Sequence, residues 1–398
     1  MNGITSITTG GVALGALLTL ALTTVGCAKD LPAVEQLPTV RELPDPFCFL
    51  DGTRVKNRQD WSRRRTELKE IIQHYGYGHL PPAPKNVKAQ PQEANRIEAI
   101  GATERRLMLT MGPEDKVLAA LVLTIPDGKG PFPAIIVGDL SWGKVKEPIV
   151  AEVIKRGYIL AEFDRTAFAA DGKDRAKGLY PCYPDGDFAA LAAWAWGFHR
   201  VADYLLTLPN VDGNRIAVTG HSRGGKAALL AGAFDERIAL TAPNNSGCGG
   251  AGCTRFLYGK CESIGAITKN FPFWFHPRFA QFVTQVERLP FDQHSIKALV
   301  APRALLSTEG MEDIWANPPG TQLTHQAAKV VYDFLGAGGR IGVVYRPGGH
   351  GHNLQDWQTL LDFADAQFFG KDVKRRFDDL PYPDDSKRGF SWTAPAKP

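Results

Sequence analysis

The 398-residue chain predicts an α/β fold, a mostly parallel central sheet with helices on both faces, and three observations carry that expectation. Short apolar runs alternate with helical patterns from Val117 to the last helix. A serine stands between glycines at a strand-to-helix junction, in Val218-Thr219-Gly220-His221-Ser222-Arg223-Gly224-Gly225-Lys226. Hydrophobic residues make up 44% of the chain, enough for a sizeable core, and no repeat or low-complexity linker breaks residues 85–370.

Taken in order, residues 1–28 read as an export signal. Residues 11–22 form an apolar run too short to span a bilayer comfortably. Thr24-Val25-Gly26-Cys27 resembles a lipobox whose Cys27 would carry a lipid anchor, with cleavage after Ala28 as the alternative. Either way an exported protein is expected: periplasmic, anchored at the outer membrane, or secreted. Residues 29–398 are expected to form a single catalytic domain with an N-terminal extension and a C-terminal tail along the surface. An irregular stretch over 29–57 precedes a helix over 58–75, whose mixed acids and bases make Arg63-Arg64-Arg65 a solvated face. Strands are expected near 95–100, 104–111, 117–125, 133–138 and 158–163, and a helix over 187–208 leads to the strand before Ser222. A helix of small residues follows the serine. Next come a strand near 238–243, an insertion over 247–295 rich in Phe, Trp and Gly, and a strand near 302–307. A helix over 321–336, a strand over 341–345 and a helix over 354–369 complete the pattern. The net charge of +4 does not mark a nucleic-acid partner, and no membrane span is expected. Cys48, Cys182, Cys248, Cys253 and Cys261 remain beyond Cys27; a staple among the last three and a fully reduced set are both open.

Gly-x-Ser-x-Gly between a strand and a helix reads as a nucleophile elbow, because only small neighbours permit the sharp turn that exposes the hydroxyl. That context predicts the α/β-hydrolase fold. A serine needs a base, expected later in the chain after an acid. His350, in the turn Arg346-Pro347-Gly348-Gly349-His350-Gly351-His352, is the candidate, with His352 its rival and a surface-loop histidine the plain alternative. The strand near 302–307 is followed by Glu309, Glu312 and Asp313; Asp313, ahead of a Trp and a proline-rich turn, is preferred over Glu309 to orient the imidazole. Two histidines one residue apart suit a metal, but no further ligand cluster stands near them, so neither metal nor cofactor is expected. Arg223 offers its backbone N–H, and its guanidinium, to a developing oxyanion; the plain reading points it to solvent. Lys226, one helical turn beyond Ser222, either meets substrate or bridges a neighbour.

Further stretches carry a family resemblance: Asn244-Asn245-Ser246-Gly247-Cys248-Gly249-Gly250, Leu289-Pro290-Phe291-Asp292-Gln293-His294, Ala301-Pro302-Arg303, Glu312-Asp313-Ile314-Trp315-Ala316-Asn317-Pro318 and Gly348-Gly349-His350. With the elbow they span about residues 45–370, and the chain resembles the bacterial glucuronoyl esterases, carbohydrate esterase family fifteen. The resemblance implies Ser222 as nucleophile, His350 as base and Arg223 as oxyanion donor. It implies Lys226, Glu262 and Trp315 as contacts of a uronate ring, where Trp315 stacks and the other two bind hydroxyls. Many members carry the acid in the Asn-Glu-Ser-Gly motif, but Asn245 is an amide here; some bacterial members place it on the later loop, at Asp313. Fungal members flank the Ser and His with a cysteine pair, and the matching positions here are His221 and Gly351. Trp142, Phe163, Trp274, Phe275 and Trp357 are further aromatic walls or, more ordinarily, core.

The expected reaction is hydrolysis of the ester between (4-O-methyl-)glucuronic acid of glucuronoxylan and lignin alcohols, or of a small uronate ester. Another exported serine hydrolase, acting on acetyl or feruloyl groups or resembling an aminopeptidase, shares the same fold. A non-catalytic carbohydrate-binding relative is the third reading, prompted by Asn245.

Overall fold

Runs of Val, Ile, Leu and Ala build a nine-stranded sheet in a computed structural model that describes residues 1, 3 and 31–396. The expected signal over residues 1–28, with Cys27, therefore lies outside the described residues apart from Met1 and Gly3. The strands are β1 (Val87–Ile97), β2 (Ala102–Met111), β3 (Val117–Pro126), β4 (Phe132–Val137), β5 (Ile159–Phe163), β6 (Val211–His221), β7 (Leu240–Asn244), β8 (Ala304–Gly310) and β9 (Ile341–Arg346). They lie in the order β1-β2-β3-β5-β4-β6-β7-β8-β9. The pairs among β1, β2, β3 and β5 are antiparallel, and every pair from β5 to β9 is parallel. Every residue of β5, β7 and β8 is buried, as parallel strands covered on both faces require.

The helices are α1 (Arg58–Ile72), α2 (Glu147–Lys155), α3 (Ala190–Leu205), α4 (Arg223–Phe234), α5 (Ile264–Asn270), α6 (Pro277–Ala280), α7 (Gln293–Val300), α8 (Pro318–Phe334) and α9 (Leu354–Phe369). On one face Ile149 and Val153 of α2 and Trp357 and Leu361 of α9 pack with Ile135, Leu160, Ala217 and Leu306. Across the other, α3, α4, α7 and α8 pack side by side. Residues Pro32–Pro398 form one compact unit.

Four expectations need correction. Arg64, expected on a solvated face, is buried, paired with Glu67 and donating from Nε to Pro46 O at 3.2 Å. The strand expected near 95–100 is β1, which begins at Val87 and is exposed along most of its length. An edge strand with so little buried face shows no apolar alternation, and Pro91 sits at its break in register. α7 straddles the end of the presumed insertion and was not expected, because it buries Gln293, His294, Ser295 and Lys297 along with its apolar residues, so its polar residues mark no solvent face. The tail, finally, does more than lie on the surface. Leu43 N–H donates to Gly389 O at 2.8 Å and Trp392 Nε1 donates to Leu43 O at 2.7 Å. Trp392 also stacks on Phe390 and His294, with ring centroids 4.6 and 5.8 Å away.

All five cysteines of the described residues are free thiols, so Cys248, Cys253 and Cys261 form no staple. Burial also lowers His199 and His294 to about 4 and His325 to about 3. An unfolded histidine titrates near ~6.5, so between that pH and the folded value the unfolded chain binds the extra proton. Stability therefore falls as pH drops through that window, by up to about 1.4 kcal/mol per pH unit for each such histidine. We expect the urea midpoint to decline steadily from pH 7 to pH 4.5; a flat midpoint would contradict neutral burial of these rings.

Candidate active site

β6 delivers Ser222 at φ 56°, ψ −120°, and α4 starts at the next residue. Positive φ in a residue with a side chain is strained and persists only where the surroundings enforce it. Ser222 N–H donates to Asn244 O of β7 at 3.0 Å, and Ser222 O accepts from Lys226 N–H at 3.0 Å. The glycines are steric necessities: a Cβ on Gly220 would lie 2.5 Å from the Gly224 carbonyl, and one on Gly224 would lie 2.0 Å from Asp139 Oδ1.

The turn after β9 brings His350 Nδ1 to 2.6 Å from Oδ2 of Asp313, on the loop after β8. Asn245 Nδ2 donates to the same oxygen at 2.7 Å, and Asn245 Oδ1 accepts from Gly310 N–H at 3.2 Å. The amide thus ties the acid's loop to the end of β8. Burial opposes ionisation of Asp313, but the hydrogen bonds from His350 and Asn245 outweigh it and hold the carboxyl below its ordinary value. An ionised carboxylate only accepts, so the His350 proton sits on Nδ1 and Nε2 is left as acceptor. Ser222, His350 and Asp313 line one cavity of about 330 Å³. Among the described residues no hydrogen bond joins Ser222 Oγ to His350; such contacts are often long before substrate arrives.

The rivals lie elsewhere. Glu309 is fully buried in β8, accepts from Thr321 Oγ1 at 3.2 Å, and is raised by burial and by the Asp313 charge. The His352 ring lies between His221 and Trp357, with centroids 6.1 and 5.0 Å away, and burial lowers it to about 3.

Lys226, Glu262 and Trp315 line the same cavity. Lys226 Nζ donates to Ser246 O at 2.7 Å and Cys248 O at 2.6 Å, and lies 3.3 Å from Glu262 Oε2. Its three donors therefore have three acceptors. Glu262 N–H donates to Trp315 O at 3.0 Å, which joins the acid to the half-exposed Trp315 at the rim. Phe271 and Trp274 complete that wall, stacked at 3.8 Å. Phe163, Phe275 and Trp357 belong to the core.

Arg223 does not point to solvent. Its Nη1 donates to Asp171 Oδ2 at 2.6 Å, while Trp274 Nε1 donates to Asp171 Oδ1 at 2.8 Å. The guanidinium lies 4.6 Å from the Trp274 ring, 5.0 Å from Phe271 and 5.6 Å from Trp142. Behind the turn, Asp139 Oδ2 accepts from His221 N–H at 2.8 Å and Oδ1 from Arg165 Nη1 at 2.6 Å. The wholly buried Arg165 sits against Trp142 at 4.2 Å and Trp194 at 5.1 Å. The His221 ring lies 4.4 Å from His350, and burial lowers His221 to about 4, so no second cation forms there at neutral pH. Sequence reasoning missed Asp139, Arg165 and Asp171. One signal was available for the first two: Asp139 follows β4 and Arg165 follows β5, and residues at the carboxyl ends of parallel strands face the site.

A strained serine turn at the carboxyl end of a parallel strand, with an acid and then a histidine on later loops, defines the class of α/β-hydrolases. Comparison with known proteins narrows the class. The family described as fungal glucuronyl esterase matches residues 109–336. A 4-O-methyl-glucuronoyl methylesterase of Wolfiporia cocos is 35% identical over 324 residues, 78% of this chain and 76% of that protein. The structure of a carbohydrate esterase family 15 glucuronoyl esterase from Caldicellulosiruptor kristjansonii superposes with a TM-score of 0.76 at 33% identity, covering 88% of this chain and 97% of that one. A mutant glucuronoyl esterase from Sporotrichum thermophile, solved with methyl 4-O-methyl-β-D-glucopyranuronate, superposes with a TM-score of 0.70 at 28% identity, over 84% of this chain and 90% of that one. The chain belongs to the glucuronoyl esterase family.

Because Asp139 is short and held by two donors, Gly224→Ala must displace its carboxylate from Arg165 and His221. The expected loss is about 1–3 kcal/mol of stability and slower labelling of Ser222 by a phosphonate serine reagent. Wild-type melting and labelling would show that the carboxylate yields at no cost.

Proposed function

We propose that the protein hydrolyses esters of glucuronic acid, with Ser222 as nucleophile, His350 as general base and acid, and Asp313 as the orienting carboxylate. The observation that carries the reading is the 2.6 Å contact of His350 with Asp313 in a cavity that Ser222, Lys226, Glu262 and Trp315 also line. Ser222 Oγ attacks the ester carbonyl while His350 Nε2 takes its proton, and Asp313 stabilises the imidazolium. The tetrahedral oxyanion is held by the Arg223 backbone N–H and guanidinium, each donor contributing roughly 2.7–4 kcal/mol. Collapse breaks the bond to the alcohol oxygen, which receives the proton from His350. Water, deprotonated by His350, then cleaves the acyl-enzyme and frees glucuronate and Ser222.

The sugar ring rests on Trp315 and offers its hydroxyls to Lys226 and Glu262. Since the Lys226 donors are already engaged, a bound hydroxyl replaces one acceptor rather than meeting a bare charge. The natural substrate is the ester joining (4-O-methyl-)glucuronate of glucuronoxylan to lignin alcohols. That polymer lies outside the cell, in keeping with an exported protein that is periplasmic, held at the outer membrane through Cys27, or secreted. The part from residue 29 onward acts as one catalytic domain.

Benzyl glucuronate, an acetylated xylooligosaccharide and a feruloyl ester separate the readings. Turnover of the glucuronate alone, abolished by Ser222→Ala in a protein that still folds, is expected. Activity confined to the acetyl or feruloyl ester would keep the serine hydrolase and discard the uronate; silence on all three would favour a binding protein. Asp313→Asn is expected to lower kcat by about 10⁴-fold, far more than Glu309→Gln. Equal, small losses would remove Asp313 from its role.

A further inference from the structure

Trp142 is half-exposed, although it stands in the most crowded part of the site and outside the cavity lining. Its position is fixed. Trp142 N–H donates to Asp139 O at 2.9 Å, and the buried Arg165 guanidinium lies 4.2 Å from its ring. Arg223 lies 4.6 Å from the ring of Trp274, which lines the cavity, and 5.6 Å from that of Trp142, which does not. The Trp142 ring centroid is also 6.3 Å from that of His221, whose own ring lies 4.4 Å from His350.

From this placement we infer that Trp142 is the platform for the alcohol half of the substrate and takes its aryl group. The inference rests on the ester reading above. The uronate fills the cavity of Lys226, Glu262, Trp274 and Trp315, so the ester carbonyl lies over Ser222 and Arg223. The departing oxygen must lie within reach of His350, which protonates it. The substituent on that oxygen therefore leaves the cavity near Arg223 and His350, and the half-exposed Trp142 ring, 5.6 Å from the Arg223 guanidinium and 6.3 Å from the His221 ring, stands beside that exit. An apolar ring offered to solvent at that point fits an aromatic ring, which gains from stacking as well as from area. A methyl group offers no ring to stack there.

Trp142→Phe keeps a ring over Arg165, and Trp142→Leu keeps apolar bulk without one. For wild type and both variants we would measure kcat/KM on benzyl and methyl glucuronate, and on free and xylan-linked uronate esters of one alcohol. The benzyl-to-methyl ratio is expected to fall about tenfold in Trp142→Leu and to recover largely in Trp142→Phe. An unchanged ratio in Trp142→Leu overturns the inference, even if both rates fall together, since that is the mark of a disturbed Arg165 or Arg223. A change confined to the xylan-linked comparison overturns it too and gives the platform to the polysaccharide. Failure of the wild type on every uronate ester sinks the ester reading itself, an outcome separate from any change of ratio.

Discussion

A serine held at φ 56° and ψ −120° sets the terms for everything around it. The strain is tolerated because neighbours on three sides leave the turn no other course. β7 takes the Ser222 N–H, Gly220 and Gly224 touch where no Cβ fits, and Asp139 takes the N–H of His221. The end of β4 must therefore stand where its carboxylate meets the turn, which fixes the neighbouring order of β4 and β6 in functional as well as architectural terms. A serine hydroxyl posed by backbone contacts has little left to arrange when a ligand enters.

Charge is the second theme. Asp139 with Arg165, Asp171 with Arg223 and Lys226 with Glu262 stand around the turn, and Arg346, paired with Asp356, donates to Gly351 O beside His350. Buried ion pairs add little to stability, because desolvation offsets most of their attraction. What they supply here is direction. Each cation or anion enters the site already aimed by a partner, and an aimed dipole costs no reorganisation when charge develops. Arg223 shows this best: Asp171 holds one edge and three aromatic rings surround the plane, so its remaining freedom is small.

What could be read from the chain depended on how far each signal reached. Ser222, His350 and Asp313 announce themselves through local chemistry, a glycine-lined turn after a strand in one case and loops after strands in the others. The parallel core strands and α9 were legible for the same reason, since burial leaves a continuous apolar run or a clear stripe. β1 was misplaced because an exposed edge strand owes nothing to the core. α7 was hidden because it owes everything to it. Asp139 sits on the loop after β4, and Arg165 and Asp171 on the loop after β5, so the two loops meet beside Arg223 only when β4, β5 and β6 align, and their pairings cannot be read from spacing along the chain. In the sequence Asn245 was an amide where many members carry the acid, which pointed to Asp313 instead. In three dimensions it is a hinge pin, one amide grasping both Asp313 and Gly310.

The clasp between the two ends of the compact unit has a consequence in time. Leu43 is held by Gly389 and Trp392, Ser391 N–H donates to Glu42 Oε2 at 2.7 Å, and Arg54 Nη2 donates to Thr393 O at 2.9 Å. The Trp392–Leu43 bond joins residues 349 positions apart. A ribosome adding about 5–20 residues per second takes roughly tens of seconds to travel that distance. The sheet can assemble strand by strand as the chain emerges, and the stretch around Leu43 can already meet Glu287, His294 and Leu323, but its bonds to Gly389 and Trp392 form only after those residues follow. The clasp of residues 389–393 on the stretch around Leu43 is therefore made after every strand of the sheet has been synthesised.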